Sequence, residues 1–393
     1  MAERAIEEAV LSGRLWDEFC DSLKQAGQQI LRPEAAATTL DRAEGWRYLT
    51  RLLRIGLEMH LEFADPDFPG FFAPSHETGK IGADNPDNLY LMARISGRHD
   101  YVIRGHRGSV PYLSFGSQKG GYETNGRMEQ TGFLDAKDLR LDADGRFEVV
   151  LSSTPQPGNW LKLEADSNAI IVRQTFMDRQ TERPAQLTIA RRHSGARPQP
   201  LSAERITTGL RRSAAFVQGT ATVFADWAQG YLPHVNQLPL ADQDTCQRAG
   251  GDPNILYYHS AWELAEDEAL VVFLPRIPEC RFWNLQINNW WMESLDYRYH
   301  RVHHNTHSAQ VAADGSVTLV LAHRDPGHPN WLETAGHDRG TMCLRWVGAR
   351  EAVQPETRVV KLSDLPLAVI PANAGIQNQR RRDSNPGFPP ARE

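Results

Sequence analysis

The chain has 393 residues, 40% of them apolar and 23% charged, with a formal net charge of −6. That length supports two or three domains, each with a sizeable core. The weakly acidic balance excludes a general nucleic-acid or membrane-surface binder, which would need a basic field, and no apolar run reaches the roughly 18 residues of a transmembrane helix.

The opening residues, Met1 to Glu8, are acidic and lack the apolar core of a secretion signal. Apolar residues at Ile6, Val10, Leu11, Leu15, Phe19, Leu23 and Ile30 recur at helical spacing and predict a helix over 5–31, which Arg32-Pro33 ends. A second helix is predicted over about 40–63, where Trp46, Leu49, Leu52, Leu53, Ile55, Leu57 and Leu61 form a broad apolar stripe. Strands follow at 89–95, 101–104, 112–115, 147–151, 169–176 and 186–190, rich in β-branched and aromatic residues and bounded by turn clusters such as Asp142-Ala143-Asp144-Gly145. A third helix is predicted over about 202–228, starting near Ser202 with Glu204 in its first turn. Strands return at 255–264, 269–275, 282–291, 316–321 and 342–347. From Ala368 onward the composition turns to Pro, Asn and Arg without periodicity, so 368–393 is expected to be a disordered tail in which Arg380 to Arg382 carry no function.

The chain contains a repeat. Asp144-Gly145 opens an apolar strand that leads through a Pro/Gly turn to Asn159-Trp160-Leu161 and then to a strand carrying Arg173. Asp314-Gly315 leads likewise to Asn330-Trp331-Leu332 and a strand carrying Arg345. The Asp-to-Asn step is 15 residues in the first copy (159−144) and 16 in the second (330−314). Further up the chain, Tyr101-Val102-Ile103-Arg104 resembles Val271-Val272-Phe273-Leu274, and Tyr112-Leu113-Ser114-Phe115 resembles Phe282-Trp283-Asn284-Leu285. The expected organisation is an N-terminal helical segment (1–39), a helix plus first β domain (40–195) and a helix plus second β domain (202–362). Duplicated domains tend to place ligand sites at their mutual interface.

Four segments together resemble the bacterial domain-of-unknown-function 1214 family: Ala43 to Leu49, Gly82 to Tyr90, Arg104 to Gly108, and Asp325-Pro326-Gly327-His328-Pro329-Asn330-Trp331-Leu332-Glu333-Thr334-Ala335-Gly336-His337. The resemblance covers about 15–362, and its last motif is the most specific. It implies a β-sandwich or jelly-roll-like domain with helical additions; with the repeat, the expected fold is α+β, two related antiparallel β-sandwich or jelly-roll-like domains, each preceded by a helix, plus the N-terminal helical segment. It implies no established reaction, so chemistry is read from the residues.

Arg94, Arg104, Arg173, Arg276 and Arg345 lie within or at the ends of apolar strands, where a guanidinium fork either holds an anion or pairs with an acidic neighbour. Arg104-Gly105-His106-Arg107-Gly108 sets an imidazole between two cations, which favours the neutral base. Asp325 and His337 bracket a long loop and could form an acid–base pair. Asn159, Asn330, Trp160 and Trp331 are expected to anchor turns, since they recur in both units. Asn284 to Trp291 alternates amides with apolar residues, which suits either a pocket using Asn288 and Trp290 or a hydrogen-bonded sheet face. His300, His303, His304 and His307 would share one face of a helix but not of a strand, so metal binding is not expected. The four cysteines, Cys20, Cys246, Cys280 and Cys343, have no CxxC or zinc spacing and are expected to be free thiols in the cytoplasm. No P-loop, GxSxG, HExxH or dinucleotide fingerprint is present.

The leading expectation is a cofactor-independent lyase or hydrolase acting on a small anionic or carbonyl-bearing metabolite. His106 or His337 would be the acid/base, with Asp325 orienting it. Arg104, Arg107, Asn288, Trp290, Trp331 and Arg345 would hold the substrate. The alternative is a non-catalytic carbohydrate- or small-ligand-binding protein. No cofactor, metal, nucleic-acid or membrane partner is expected, and a homo-oligomer is left open.

Overall fold

A computed structural model describes residues 2–124 and 126–365; the expected tail at 368–393 lies outside them. Helices α1 (Ala2–Ser12) and α2 (Arg14–Ala26) replace the single helix expected over 5–31. The break falls at Gly13, whose φ of +80° does not belong to a helix. α3 (Thr39–Leu57) starts on a capping box in which the Thr38 side chain accepts from Asp41 N–H and the Asp41 carboxylate accepts from Thr38 N–H. A π turn, Glu58–Glu62, extends it to the length expected from the sequence.

The first β unit comprises β1 (Asn88–Arg94), β2 (Tyr101–His106), β3 (Tyr112–Gly121), β4 (Arg127–Asp135), β5 (Arg146–Ser152), β6 (Asn159–Lys162), β7 (Ala169–Thr175) and β8 (Gln186–Arg191). After α4 (Ala203–Gly230) and α5 (Gln243–Arg248) comes the second: β9 (Ile255–Glu263), β10 (Glu268–Leu274), β11 (Phe282–Asn288), β12 (His303–Asn305), β13 (Val317–Ala322), β14 (Trp331–Glu333), β15 (Arg339–Val347) and β16 (Glu356–Lys361). The sheets run β1-β7-β3-β4 and β6-β5-β2-β8 in the first unit, and β9-β15-β11-β12 and β14-β13-β10-β16 in the second. The two orders are the same, strand for strand, so the repeat read from the sequence is a duplicated sandwich. All pairings are antiparallel except β5 with β6 and β13 with β14, the same position in each unit.

Alternation explains how each sandwich closes. In β7, Ile170 and Val172 face the first core with Leu113, Phe115, Val149 and Leu151. In β15, Leu344 and Trp346 face the second core with Trp283, Leu285, Val272 and Leu319. Arg173 and Arg345 therefore point to the opposite face of their sheets.

The Asn-Trp element fastens each sandwich in the same way. Asn159 Oδ1 accepts from Arg140 N–H, and its Nδ2 donates to the carbonyls of Arg140 and Glu148. Asn330 Oδ1 accepts from Gln310 N–H, and its Nδ2 donates to the carbonyls of Gln310 and Thr318. Trp160 Nε1 donates to Ser152 O and Trp331 Nε1 to Ala322 O, both at 3.0 Å. By hydrogen-bond register, Ser114 of β3 matches Asn284 of β11, as expected. Tyr101 of β2 matches Leu270 of β10, one residue earlier than the sequence pairing with Val271.

Candidate functional site

The seam between the sandwiches is built from one motif used twice. Asn85-Pro86-Asp87-Asn88-Leu89-Tyr90 leads into β1, and Asp252-Pro253-Asn254-Ile255-Leu256-Tyr257 leads into β9. Asn85 Oδ1 accepts from Asp87 N–H (2.9 Å), and Asp252 Oδ1 accepts from Asn254 N–H (3.0 Å). The Tyr90 hydroxyl accepts from Asn85 N–H (3.1 Å) and the Tyr257 hydroxyl from Asp252 N–H (2.9 Å).

Each copy then reaches into the other half. Asn85 Oδ1 accepts from Asn284 Nδ2 of β11. Asp252 Oδ2 accepts from the hydroxyls of Tyr112 and Ser114 of β3. Arg345 donates to the carbonyl of Ala83 and, at 2.5 Å, to Gln286 Oε1. Arg173 donates to the carbonyl of Gly250 and lies 3.9 Å from Asp252. Ala83 (φ +57°) and Gly250 (φ +95°) are both left-handed, two residues before Asn85 and Asp252, and this turn aims each carbonyl at the opposite arginine.

Between these elements lies a cavity of about 150 Å³. Tyr90, Tyr257, Arg173, Arg345, Asp84 and Gln118 supply its polar wall, and Met59, Met92, Ile171, Phe216 and Phe224 much of its apolar wall. Burial opposes the charge on both arginines, but Asp252 and the neighbouring tyrosines outweigh it at Arg173, and Cys343, the tyrosines and Asp84 outweigh it at Arg345, so both stay charged. Burial pushes the Asp84 carboxyl up, against the pull of Lys80 and the two hydrogen bonds from Ser294. Burial, helped by Arg345, holds His259 down at about 3, so it is a neutral imidazole in this wall. Gln118 Oε1 and His259 Nδ1 are buried with no hydrogen-bond partner among the described residues. The Tyr90 and Tyr257 oxygens each accept one backbone N–H, and among the described residues neither O–H has an acceptor. The cavity thus gathers two guanidiniums and two spare hydroxyl donors around a single buried carboxyl group.

A second polar cluster joins α3 to the second sandwich. Gly45 lets the helix approach closely, since a Cβ there would sit 2.9 Å from the Trp291 ring. Glu44 Oε2 consequently lies 2.7 Å from His337 Nε2 and also accepts from Asn289 Nδ2 at 2.9 Å, while Glu44 Oε1 accepts from Arg47 at 2.6 Å. His337 Nδ1 donates to the Thr334 carbonyl at 3.0 Å. Arg51 pairs with buried Glu293 at 2.6 Å alongside. Every polar atom of the Glu44–His337 pair is engaged, which suits a structural link.

The expected catalytic set does not converge. His106 is exposed on β2, and its Nδ1 accepts from Gly108 N–H. Asp325 is exposed and accepts from Gly327 N–H in its own turn. His337 is buried on Glu44, not on Asp325. Arg104 is exposed beside Glu148, and Arg107 bonds to Val110 O, both away from the cavity. Trp331 anchors its own loop, and Trp290 is buried under Arg339. Asn288 bonds to Gln286 and Thr341. The amide row of β11 is therefore a hydrogen-bonded seam, with Asn284 on Asn85 and Gln286 on the Asp84 carbonyl. Of the expected site residues, Arg345 alone lines the cavity. The four clustered histidines take separate partners, His300 with Glu333, His303 with Asp87, His304 with the Trp331 carbonyl and His307 near Asp178. Arg173, read in the sequence as an anion holder or an ion-pair partner, lines the cavity too, and the residues missed altogether were Tyr90, Tyr257, Asp84 and Gln118. The Pro-x-x-Leu-Tyr spacing shared by 86–90 and 253–257 was the available signal.

No curated protein sequence matches the chain. A crystal structure of an uncharacterized protein from Burkholderia cenocepacia is similar at 60% identity and a TM-score of 0.90, over 91% of this chain and 99% of that one. The VPA0106 protein from Vibrio parahaemolyticus is similar at 13% identity and a TM-score of 0.47, over 80% of this chain and 98% of that one. The family model described as a protein of unknown function, DUF1214, matches residues 266–351, the heart of the second sandwich. With the duplicated α+β fold and the motif residues that meet at the seam, the chain belongs to the DUF1214 family.

Proposed function

We propose that this protein binds a small carboxylate-bearing molecule in the cavity between its two sandwiches. The observation that carries the reading is that the hydroxyls of Tyr90 and Tyr257, which have no acceptor among the described residues, stand beside Arg173 and Arg345 in a buried space whose lining holds one carboxyl, Asp84. A buried unpaired hydroxyl is unfavourable, and a carboxylate placed beside the two guanidiniums would satisfy it through charge-assisted hydrogen bonds. The volume fits a ligand of about six non-hydrogen atoms, the size of a benzene ring. Four free thiols are consistent with action in the cytoplasm. No helix among the described residues is long and apolar enough to cross a membrane. Binding is favoured over acid/base catalysis because no described imidazole in the cavity is paired with a carboxylate.

Calorimetry against a panel of small carboxylates and their neutral amides tests the reading. The expected result is saturable binding of a carboxylate, no binding of its amide, and a loss of roughly tenfold in affinity in the Tyr90→Phe/Tyr257→Phe double variant. Absence of carboxylate binding, or equal binding of acid and amide, would overturn it.

A further inference from the structure

Gln118 is 3% exposed and lines the main cavity, yet its Oε1 has no donor among the described residues. An amide oxygen accepts and cannot donate, so a carboxylate seated on the arginines leaves it unsatisfied. A buried acceptor without a donor is a costly arrangement to keep.

The duplication shows how this acceptor came to be open. By register, Gln118 of β3 matches Asn288 of β11. Asn288 is engaged on both sides, its Oδ1 accepting from Gln286 Nε2 and its Nδ2 donating to Thr341 Oγ1. The first sandwich has Gly116 in the place of Gln286 and Ala169 in the place of Thr341. Neither side chain can bond an amide, so the same position is closed in one copy and open in the other. The open amide also stands close to the cavity's charge. A Cβ built on Gly250 would lie 3.4 Å from Gln118 Nε2, and the Gly250 carbonyl accepts from Arg173, so amide and guanidinium meet at one glycine.

The donor that suits this place is neutral. Arg173 and Arg345 both keep their charge, and an ammonium would add a third cation to a wall whose one carboxyl, Asp84, is pushed up by burial. A hydroxyl carries no charge and both donates and accepts. It therefore also suits His259 Nδ1, buried and unpartnered in the same wall, in either tautomer of a ring whose Nε2 lies 3.8 Å from Cys343 Sγ. Room for about six non-hydrogen atoms limits the ligand to about three carbons.

We infer that the ligand is a short hydroxycarboxylate, its carboxylate on Arg173 and Arg345 and its hydroxyl donating to Gln118 Oε1. The inference rests on the carboxylate reading of the cavity and names the class within it.

The test titrates the full chain with three-carbon acids that differ only at the second carbon: propionate, pyruvate, alanine and both enantiomers of lactate. One lactate enantiomer should bind about tenfold more tightly than propionate, pyruvate or alanine. Gln118→Met should bring lactate down to the affinity of propionate. Because Gln118 is buried, Gln118→Asn is the companion variant, expected to keep part of the preference. Equal binding of lactate and propionate by the wild type would overturn this inference and leave the carboxylate cavity standing. In that case a water in the recess of about 10 Å³ that Gln118 also lines would be its partner. Alanine or pyruvate binding more tightly than lactate would overturn the neutral hydroxyl. A loss shared equally by lactate and propionate in a folded Gln118 variant would overturn the role of Gln118. Binding of none of the acids would remove both readings.

Discussion

The two sandwiches share a hydrogen-bond frame and differ in what they show the cavity. Asn159 and Asn330, Trp160 and Trp331, Arg173 and Arg345, and Tyr90 and Tyr257 hold equivalent places with equivalent bonds. Across the cavity, Met92 stands where the second unit has His259, Ile171 where it has Cys343, and Arg94 where it has Ala261. What the duplication kept secures the fold and the two cavity arginines. What it let diverge makes the cavity unequal at its two ends, which a symmetric frame needs if it is to orient an unsymmetrical guest.

The arginines test how equivalent the frame is. Arg173→Met should cost about 3–5 kcal/mol, because it takes the neighbouring cation from buried Asp252 and the donor from the Gly250 carbonyl. Arg345→Met should cost about 1–3 kcal/mol, because it leaves only the Ala83 carbonyl and Gln286 unpaired. Denaturant unfolding measures both, and the reverse order would break the assignment of their partners. Next come the two asparagines. Asn330 is 2% exposed while Asn159 is half-buried, so Asn330→Ala should cost about 2–3 kcal/mol and Asn159→Ala about 1 kcal/mol.

A smaller effect separates the halves by pH, because the Glu44–His337 link exists only at the second sandwich. Burial works against both charges, but the mutual hydrogen bond and attraction outweigh it, raising His337 above its ordinary 6.5 and lowering Glu44 from 4.5 to about 2. The His337 contribution is full below pH 6.5 and lost as pH rises through its raised folded value. The Glu44 contribution is full above pH 4.5 and lost as pH falls through about 2. The link is therefore strongest between pH 4.5 and 6.5. Thermal unfolding of His337→Gln should show its largest deficit there, on the order of 1–2 kcal/mol, narrowing toward alkaline pH. A pH-independent deficit would contradict a charged pair. The smallest changes are expected at His106→Ala and Asp325→Ala, both within about 0.5 kcal/mol of wild type and without effect on ligand affinity. A loss of binding in either would move the site away from the seam.

The duplication was legible because Asp-Gly, Asn-Trp-Leu and the strand arginine are turn and anchor residues whose spacing the fold fixes. The strands missed, β4, β6, β12, β14 and β16, are short or carry many polar residues, so periodicity is weak in them. The site was less legible. His106 and Asp325 looked chemical because of their flanking residues, but a strand end and a turn placed them in solvent. Arg173 could be read either as an anion holder or as an ion-pair partner and Tyr90 carried no role, and the two line a cavity because a loop some 160 residues away (252−90=162) packs over them, a proximity that no local pattern encodes.

The crossed reach of Arg173 to the Gly250 carbonyl and Arg345 to the Ala83 carbonyl has a consequence for how such a protein can be cut. Neither half owns the lid over its own guanidinium. A fragment ending between residues 195 and 202 would leave Arg173 without the Gly250 carbonyl and Asp252, so the two halves are expected to unfold as one unit.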